Sequence, residues 1–169
     1  MRLRLRLLLL SLLAAAFVGG CAYPGHDARL VPGVSTAADI TSYYGAPHRI
    51  WEDADGTRTY EYSSQPLGTH CYMVRLDANG RFVSVEDTLR YDSRFSITPG
   101  MTPEQVSRRL GQERTRVTYR LSGEEVWDWN IEPDPGSSYR MRFNVHFKDG
   151  VVLRLSQSMV FPTRFGWAE

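Results

Sequence analysis

The stretch Pro99-Gly100-Met101-Thr102-Pro103-Glu104-Gln105-Val106, closed by Leu110-Gly111, has a near twin earlier in the chain. That twin opens Pro32-Gly33-Val34-Ser35-Thr36-Ala37-Ala38-Asp39-Ile40 and closes Tyr44-Gly45. Thr36 matches Thr102, Ile40 matches Val106, and Gly45 matches Gly111. Further on, Tyr60 and Tyr62 after Gly56 match Trp127 and Trp129 after Gly123, and Val74-Arg75-Leu76 before Gly80 matches Val145-His146-Phe147 before Gly150. Order and spacing kept over three separate segments are the signature of an internal repeat.

Each opening carries the start and stop of a short helix. Thr102 is a good N-cap, Pro103 suits the first helical position, and Gln105 completes a capping box. Glu104 places negative charge at the positive end of the helix dipole. Val106 and Leu110 share one face, and Gly111 supplies the left-handed stop. Thr36, Ile40, Tyr44 and Gly45 repeat the pattern. Helices this short do not persist alone in water, where about 12–15 residues are needed, so they must pack on something.

The partner is a sheet. Arg58-Thr59-Tyr60-Glu61-Tyr62 and Glu125-Val126-Trp127-Asp128-Trp129 alternate polar and aromatic, as half-buried strands do. Met141 to Phe147 alternates in the same way, and Asn79-Gly80 and Asp149-Gly150 are hairpin turns leading into Phe82-Val83-Ser84-Val85 and Val151 to Leu155. The expected fold is α+β: two tandem repeats, 31–89 and 97–159, each one or two short N-terminal helices packed on a three-stranded antiparallel sheet. Arg90 to Ser96 reads as a polar link between them.

Gly-Met-Thr-x-x-Gln-Val-x-x-x-Leu-Gly, running from Gly100 to Gly111, resembles the opening of the SmpA/OmlA (BamE-like) domain family of bacterial outer-membrane lipoproteins. Gly45-Ala46-Pro47 keeps the proline that often follows in that family, whereas Gly111-Gln112-Glu113 departs from it. The family's Trp-x-Tyr strand appears as Tyr60-Glu61-Tyr62 and Trp127-Asp128-Trp129, and its hairpin as Leu76 to Gly80 and Phe147 to Gly150. The resemblance implies a non-enzymatic accessory or scaffold in outer-membrane protein assembly or envelope integrity, with a protein partner in that machinery or elsewhere in the envelope. The family has one such domain where this chain has two. Tandem copies also resemble the secreted β-lactamase-inhibitory proteins, which implies the alternative of a periplasm-facing binding or inhibitory module.

The N-terminus gives the address. Arg2, Arg4 and Arg6 precede a 12-residue run, Leu7 to Val18, interrupted only by Ser11. That run is too short to span a bilayer, which takes roughly 20 apolar residues, and has the proportions of a signal-peptide core. Val18-Gly19-Gly20-Cys21 resembles the lipobox of bacterial lipoproteins. The resemblance implies cleavage of 1–20, lipidation of Cys21, and a tether over 21–30. Ala22, where an Asp would retain the protein elsewhere, implies the outer membrane, with the domains facing the periplasm.

No catalytic, cofactor or metal site is expected. His26, His48, His70 and His146 have no metal-ligand spacing, and no nucleophile elbow or phosphate loop is present. His146 is expected on the solvent side of its strand, Trp127 and Trp129 in the helix–sheet core, and Glu124-Glu125 at a solvated edge. Cys71, in an apolar run, reads as a small buried hydrophobe. After removal of the signal, 17 basic residues face 19 acidic ones, which is no footprint for nucleic acid. The aromatic tail 160–169 either packs on the domain or serves as an interface. Replacement Cys21→Ser is expected to move the protein from the membrane to the soluble fraction on cell fractionation; unaltered membrane retention would remove the anchor.

Overall fold

A computed structural model describes residues 29–133, 135–163 and 166–167. Cys21, the signal 1–20 and most of the tether lie outside the described residues. In order, the elements are α1 (Ala37–Tyr44), β1 (Arg49–Glu52), β2 (Arg58–Ser63), β3 (Cys71–Leu76), β4 (Phe82–Asp87), α2 (Tyr91–Arg94), α3 (Pro103–Leu110), β5 (Thr115–Tyr119), β6 (Glu124–Ile131), β7 (Arg140–Lys148) and β8 (Val151–Val160). A two-stranded ribbon, β9 (Pro162–Thr163) with β10 (Gly166–Trp167), follows.

These elements correct the expected fold class. The chain is β-rich, built on two four-stranded antiparallel sheets in the orders β1-β2-β3-β4 and β5-β6-β7-β8, with three short helices among the described residues. The expectation of α+β repeats with three strands each fails on β1 and β5, which occupy the places where a second helix was thought possible. Both are edge strands held by backbone pairing to β2 and β6. Neither buries a side chain, so neither carries an apolar period.

The helix ends are built as their residues dictate. Thr102 Oγ1 accepts from the Gln105 N–H while Gln105 Oε1 accepts from the Thr102 N–H, and Thr36 with Asp39 does the same for α1. Gly45 and Gly111 stop their helices at φ 83° and 74°, each N–H donating back into the last turn. Each helix is then pinned to the last strand of its own sheet. Gly33 donates to Phe82 O in the first unit and Gly100 to Val152 O in the second, both at 2.8 Å.

The layers stack. One face of the first sheet, with Tyr60, Tyr62, Val74, Leu76 and Phe82, covers Ile40 of α1, and Leu30 packs into the same cluster. The opposite face gives Cys71 and Met73 to a second cluster with Val106 and Leu110 of α3, and with Trp127, Trp129, Phe143 and Val145 of the second sheet. So α3 lies between the two sheets. Leu89 and Ile97, either side of α2, also belong to this cluster, so the link between units is part of the core.

The seam is closed by hydrogen bonds as well as packing. Glu61, fully buried, accepts from the Gln112 N–H at 2.7 Å and from Trp51 Nε1 at 3.1 Å. Gln65 and Asn130 exchange bonds through the Gln65 amide, and Thr88 Oγ1 donates to Leu110 O. Burial pushes the Cys71 thiol up to about 12, with the Glu61 carboxylate adding to the rise. It stays protonated and inert at physiological pH.

Gly111 shows how tight the contact is. A methyl group there would lie 2.4 Å from Cys71 Sγ and 3.1 Å from Glu61 Oε1, whereas Gly45 has nothing within 4 Å. Gly45→Ala therefore meets only the cost of a backbone conformation that side chains avoid, about 1–3 kcal/mol. Gly111→Ala meets the same cost and adds overpacking, and is expected to lose about 1–3 kcal/mol more. Urea unfolding of the two variants measures the difference; equal losses would mean that α3 does not bear on the first sheet.

Candidate functional site

The second sheet has two unlike faces. Trp127, Trp129, Phe143 and Val145 point inward to α3, so alternation sends their neighbours outward. Pairing sets the outward residues side by side: Thr115, Asp128, Asn144 and Ser156 form one row, and Val126, His146 and Arg154 another. No described element covers this face.

Its polar groups are bonded to one another. His146 Nδ1 lies 2.8 Å from Glu124 Oε2, and His146 Nε2 lies 2.8 Å from Ser156 Oγ. Asn144 Nδ2 donates to Ser156 Oγ and to Ser158 Oγ, both at 3.2 Å. Arg154 Nη2 reaches the same Glu124 oxygen at 2.9 Å. A second group joins Arg114 to Asp128 through Nη2 at 3.1 Å, with Thr115 Oγ1 donating to the same carboxylate. The His146 bond, then Arg154, hold the Glu124 carboxyl below its ordinary range against the opposing effect of burial.

Ser156, His146 and Glu124 stand in the sequence of nucleophile, base and orienting acid used in acyl transfer. Acyl transfer also needs donors aimed at the developing oxyanion. On a strand the backbone N–H groups lie in the plane of the sheet. The bonds linking Glu124, His146, Ser156, Asn144 and Arg154 fix one another's rotamers, and fixed side chains lose little entropy when a partner arrives.

The face carries more positive than negative charge. Arg114, Arg140, Arg142 and Arg154 stand against Glu124 and Asp128. Burial and the neighbouring Arg114 lower the proton affinity of Arg142, the mark of crowded like charge.

The expected positions of the histidines and of Glu124 change accordingly. His146 is buried, because its ring lies along the sheet between Glu124 and Ser156 and is not turned to solvent. Glu124 is mostly covered for the same reason and is no solvated edge. His70 is elsewhere, 2.6 Å from Asp87 and stacked on Tyr72, and His48 sits before β1. His26 lies outside the described residues. Trp127 and Trp129 are in the core, where Trp129 Nε1 donates to Gly111 O. Val160, the first residue of the tail 160–169, ends β8 and is buried, and Phe161 after it is exposed and set against Tyr139.

A carboxyl held below its ordinary range contributes stability above that range and loses it as pH falls through the lowered value. Acid unfolding is therefore expected to begin at a lower proton concentration, that is at higher pH, in Glu124→Gln, whose slope of stability against pH is also shallower. Asp39 and Asp55, likewise lowered by their bonds to Thr36 and Thr57, keep part of the slope. Thermal melts over a pH series read both effects.

No family model matches this chain, and no curated protein matches it. Three solved structures resemble it weakly. A candidate β-lactamase inhibitor protein from Streptococcus mutans has TM-score 0.32 and 12% identity over 73% of this chain and 82% of its own. A DUF4309 family protein from Bacillus subtilis has TM-score 0.28 and 17% identity, covering 77% and 82%. An extracellular protein containing an SCP domain, from Bacillus anthracis, has TM-score 0.28 and 9% identity, covering 83% of this chain and 55% of that one. At scores this low the likenesses carry no functional argument, and none of the three is described as an SmpA/OmlA protein.

Proposed function

We propose that this chain is a non-enzymatic binding module, anchored by a lipid on Cys21 in the outer membrane and facing the periplasm, that holds another protein against the outer face of its second sheet. The observation that carries this reading is the pre-ordered array of Glu124, His146, Asn144, Arg154 and Ser156, whose side chains bond to one another along the outer face of the sheet. The excess of arginine on that face fits an acidic partner surface. Charge complementarity of this kind acts mainly on the encounter rate and on specificity.

The lipid would add to a modest intrinsic affinity by confining the module near membrane partners. The SmpA/OmlA likeness favours a partner in outer-membrane protein assembly. A soluble periplasmic enzyme as partner would make the chain an inhibitory module instead.

Capture from detergent-solubilised membranes and from the soluble periplasm separates the two. The same partner is expected to be lost with the charge reversal Arg140→Glu/Arg154→Glu, and to associate more slowly as salt is raised. Both arginines are largely exposed, but Arg154 also pairs with Glu124, so the reversal is expected to lower the melting temperature modestly while leaving the protein folded at the capture temperature. Capture that survives the reversal at full strength would place the partner on another surface.

A further inference from the structure

The first sheet has a polar half that α3 does not cover. There the residues Thr59, Arg75, Ser84 and Glu86 form one wall of a cleft of about 350 Å³. Thr88, Ser93 and Ser96 form its side, and Arg108 and Arg109 of α3 its opposite wall. A volume of this size lies at the lower end of small-molecule sites, where ligands are metabolite-sized.

The charges in these walls are not equally committed. Arg108 is taken by Asp53 at 3.1 Å and Glu104 at 3.2 Å, and its guanidinium lies over the Trp51 ring. Glu86 accepts from the Ser93 hydroxyl at 2.7 Å, which ties it to the side wall. Arg109 gives one N–H to Ser96 O and makes no ion pair among the described residues. Arg75, on the facing wall, makes neither an ion pair nor a side-chain hydrogen bond among the described residues, and acts on Asp55 only at longer range. Arg75 and Arg109 thus line one concave space from facing elements, with Thr59, Ser84 and Ser96 among the other lining residues.

We infer that this cleft binds a small oxyanion of the phosphate class, held between Arg75 and Arg109. Arginine offers several N–H donors in a planar fork that matches phosphate oxygens, and a concave wall of low dielectric focuses the field of the pair. Thr59, Ser84 and Ser96 supply further donors on the rim. The site is separate from the outer face of the second sheet, so its occupancy and protein capture are independent measurements.

The test uses the purified full chain in detergent, titrated with inorganic phosphate by calorimetry and thermal melting, with ionic strength held constant by chloride. Saturable binding and a raised melting temperature are expected. Arg75→Gln and Arg109→Gln should each weaken it at least tenfold, and Arg108→Gln much less. The Arg75 side chain makes no ion pair or hydrogen bond among the described residues, so Arg75→Gln carries the test even where Arg109→Gln loosens α3. Absence of saturable binding, an equal effect from chloride alone, or native affinity in Arg75→Gln would each overturn the inference. Displacement of bound phosphate by vesicles containing phosphatidic acid, and not by phosphatidylcholine alone, would identify the anion as a lipid headgroup. Displacement by a soluble phosphate monoester without any vesicle effect would identify it as a free metabolite.

Discussion

The fold depends on burying the apolar face of an eight-residue helix against residues of both sheets. In water α3 would be a transient turn. Between the two sheets, Val106 and Leu110 lose all contact with solvent, each contributing about 1.5–3 kcal/mol. The same burial forces Glu61 into the interior, where an unbonded carboxyl would cost far more than the helix gains. The Gln112 N–H and Trp51 Nε1 meet it there. The orphan donor just past the end of α3 and the misplaced carboxyl of β2 thus satisfy one another, and the two units become one body.

Much of this was legible in the residues. Thr36, Thr102, Gln105, Gly45 and Gly111 mark both helices to within a residue, because capping is a local interaction. The aromatic alternation of Tyr60 and Tyr62, and of Trp127 and Trp129, marks the central strands. The edge strands β1 and β5 escaped because neither buries a side chain, and backbone pairing with a few polar contacts such as Trp51 to Glu61 and Thr115 to Asp128 leaves no apolar pattern. The polar array escaped for a different reason. Counting back from the Asp149-Gly150 turn would set His146 beside Leu153, but a bulge between His146 and Phe147 shifts the pairing so that His146 meets Arg154 and neighbours Ser156. One extra residue in a hairpin decides whether Glu124, His146 and Ser156 can meet.

The two sheets use equivalent positions for different ends. In sheet register, Glu61 corresponds to Asp128, Cys71 to Arg142, Met73 to Asn144 and Arg75 to His146. In the first sheet these positions receive α3 through Cys71 and Met73. In the second they are polar and bonded among themselves. Arg114 turns Asp128 inward to its own unit, where its counterpart Glu61 reaches across the seam.

That exchange sets the length of the assembly. A sheet whose outer face matched the first one's would accept the leading helix of another molecule, as the first sheet accepts α3. The other end of this chain already shows Val31, Val34 and Tyr43 to solvent beside α1. Such a head-to-tail contact does not close on itself, so each molecule added would offer the same surface to the next, and the product would be a fibre. Arg142 and Asn144, standing where Cys71 and Met73 would invite another layer, make the second sheet a terminal cap and keep the polymer at two units.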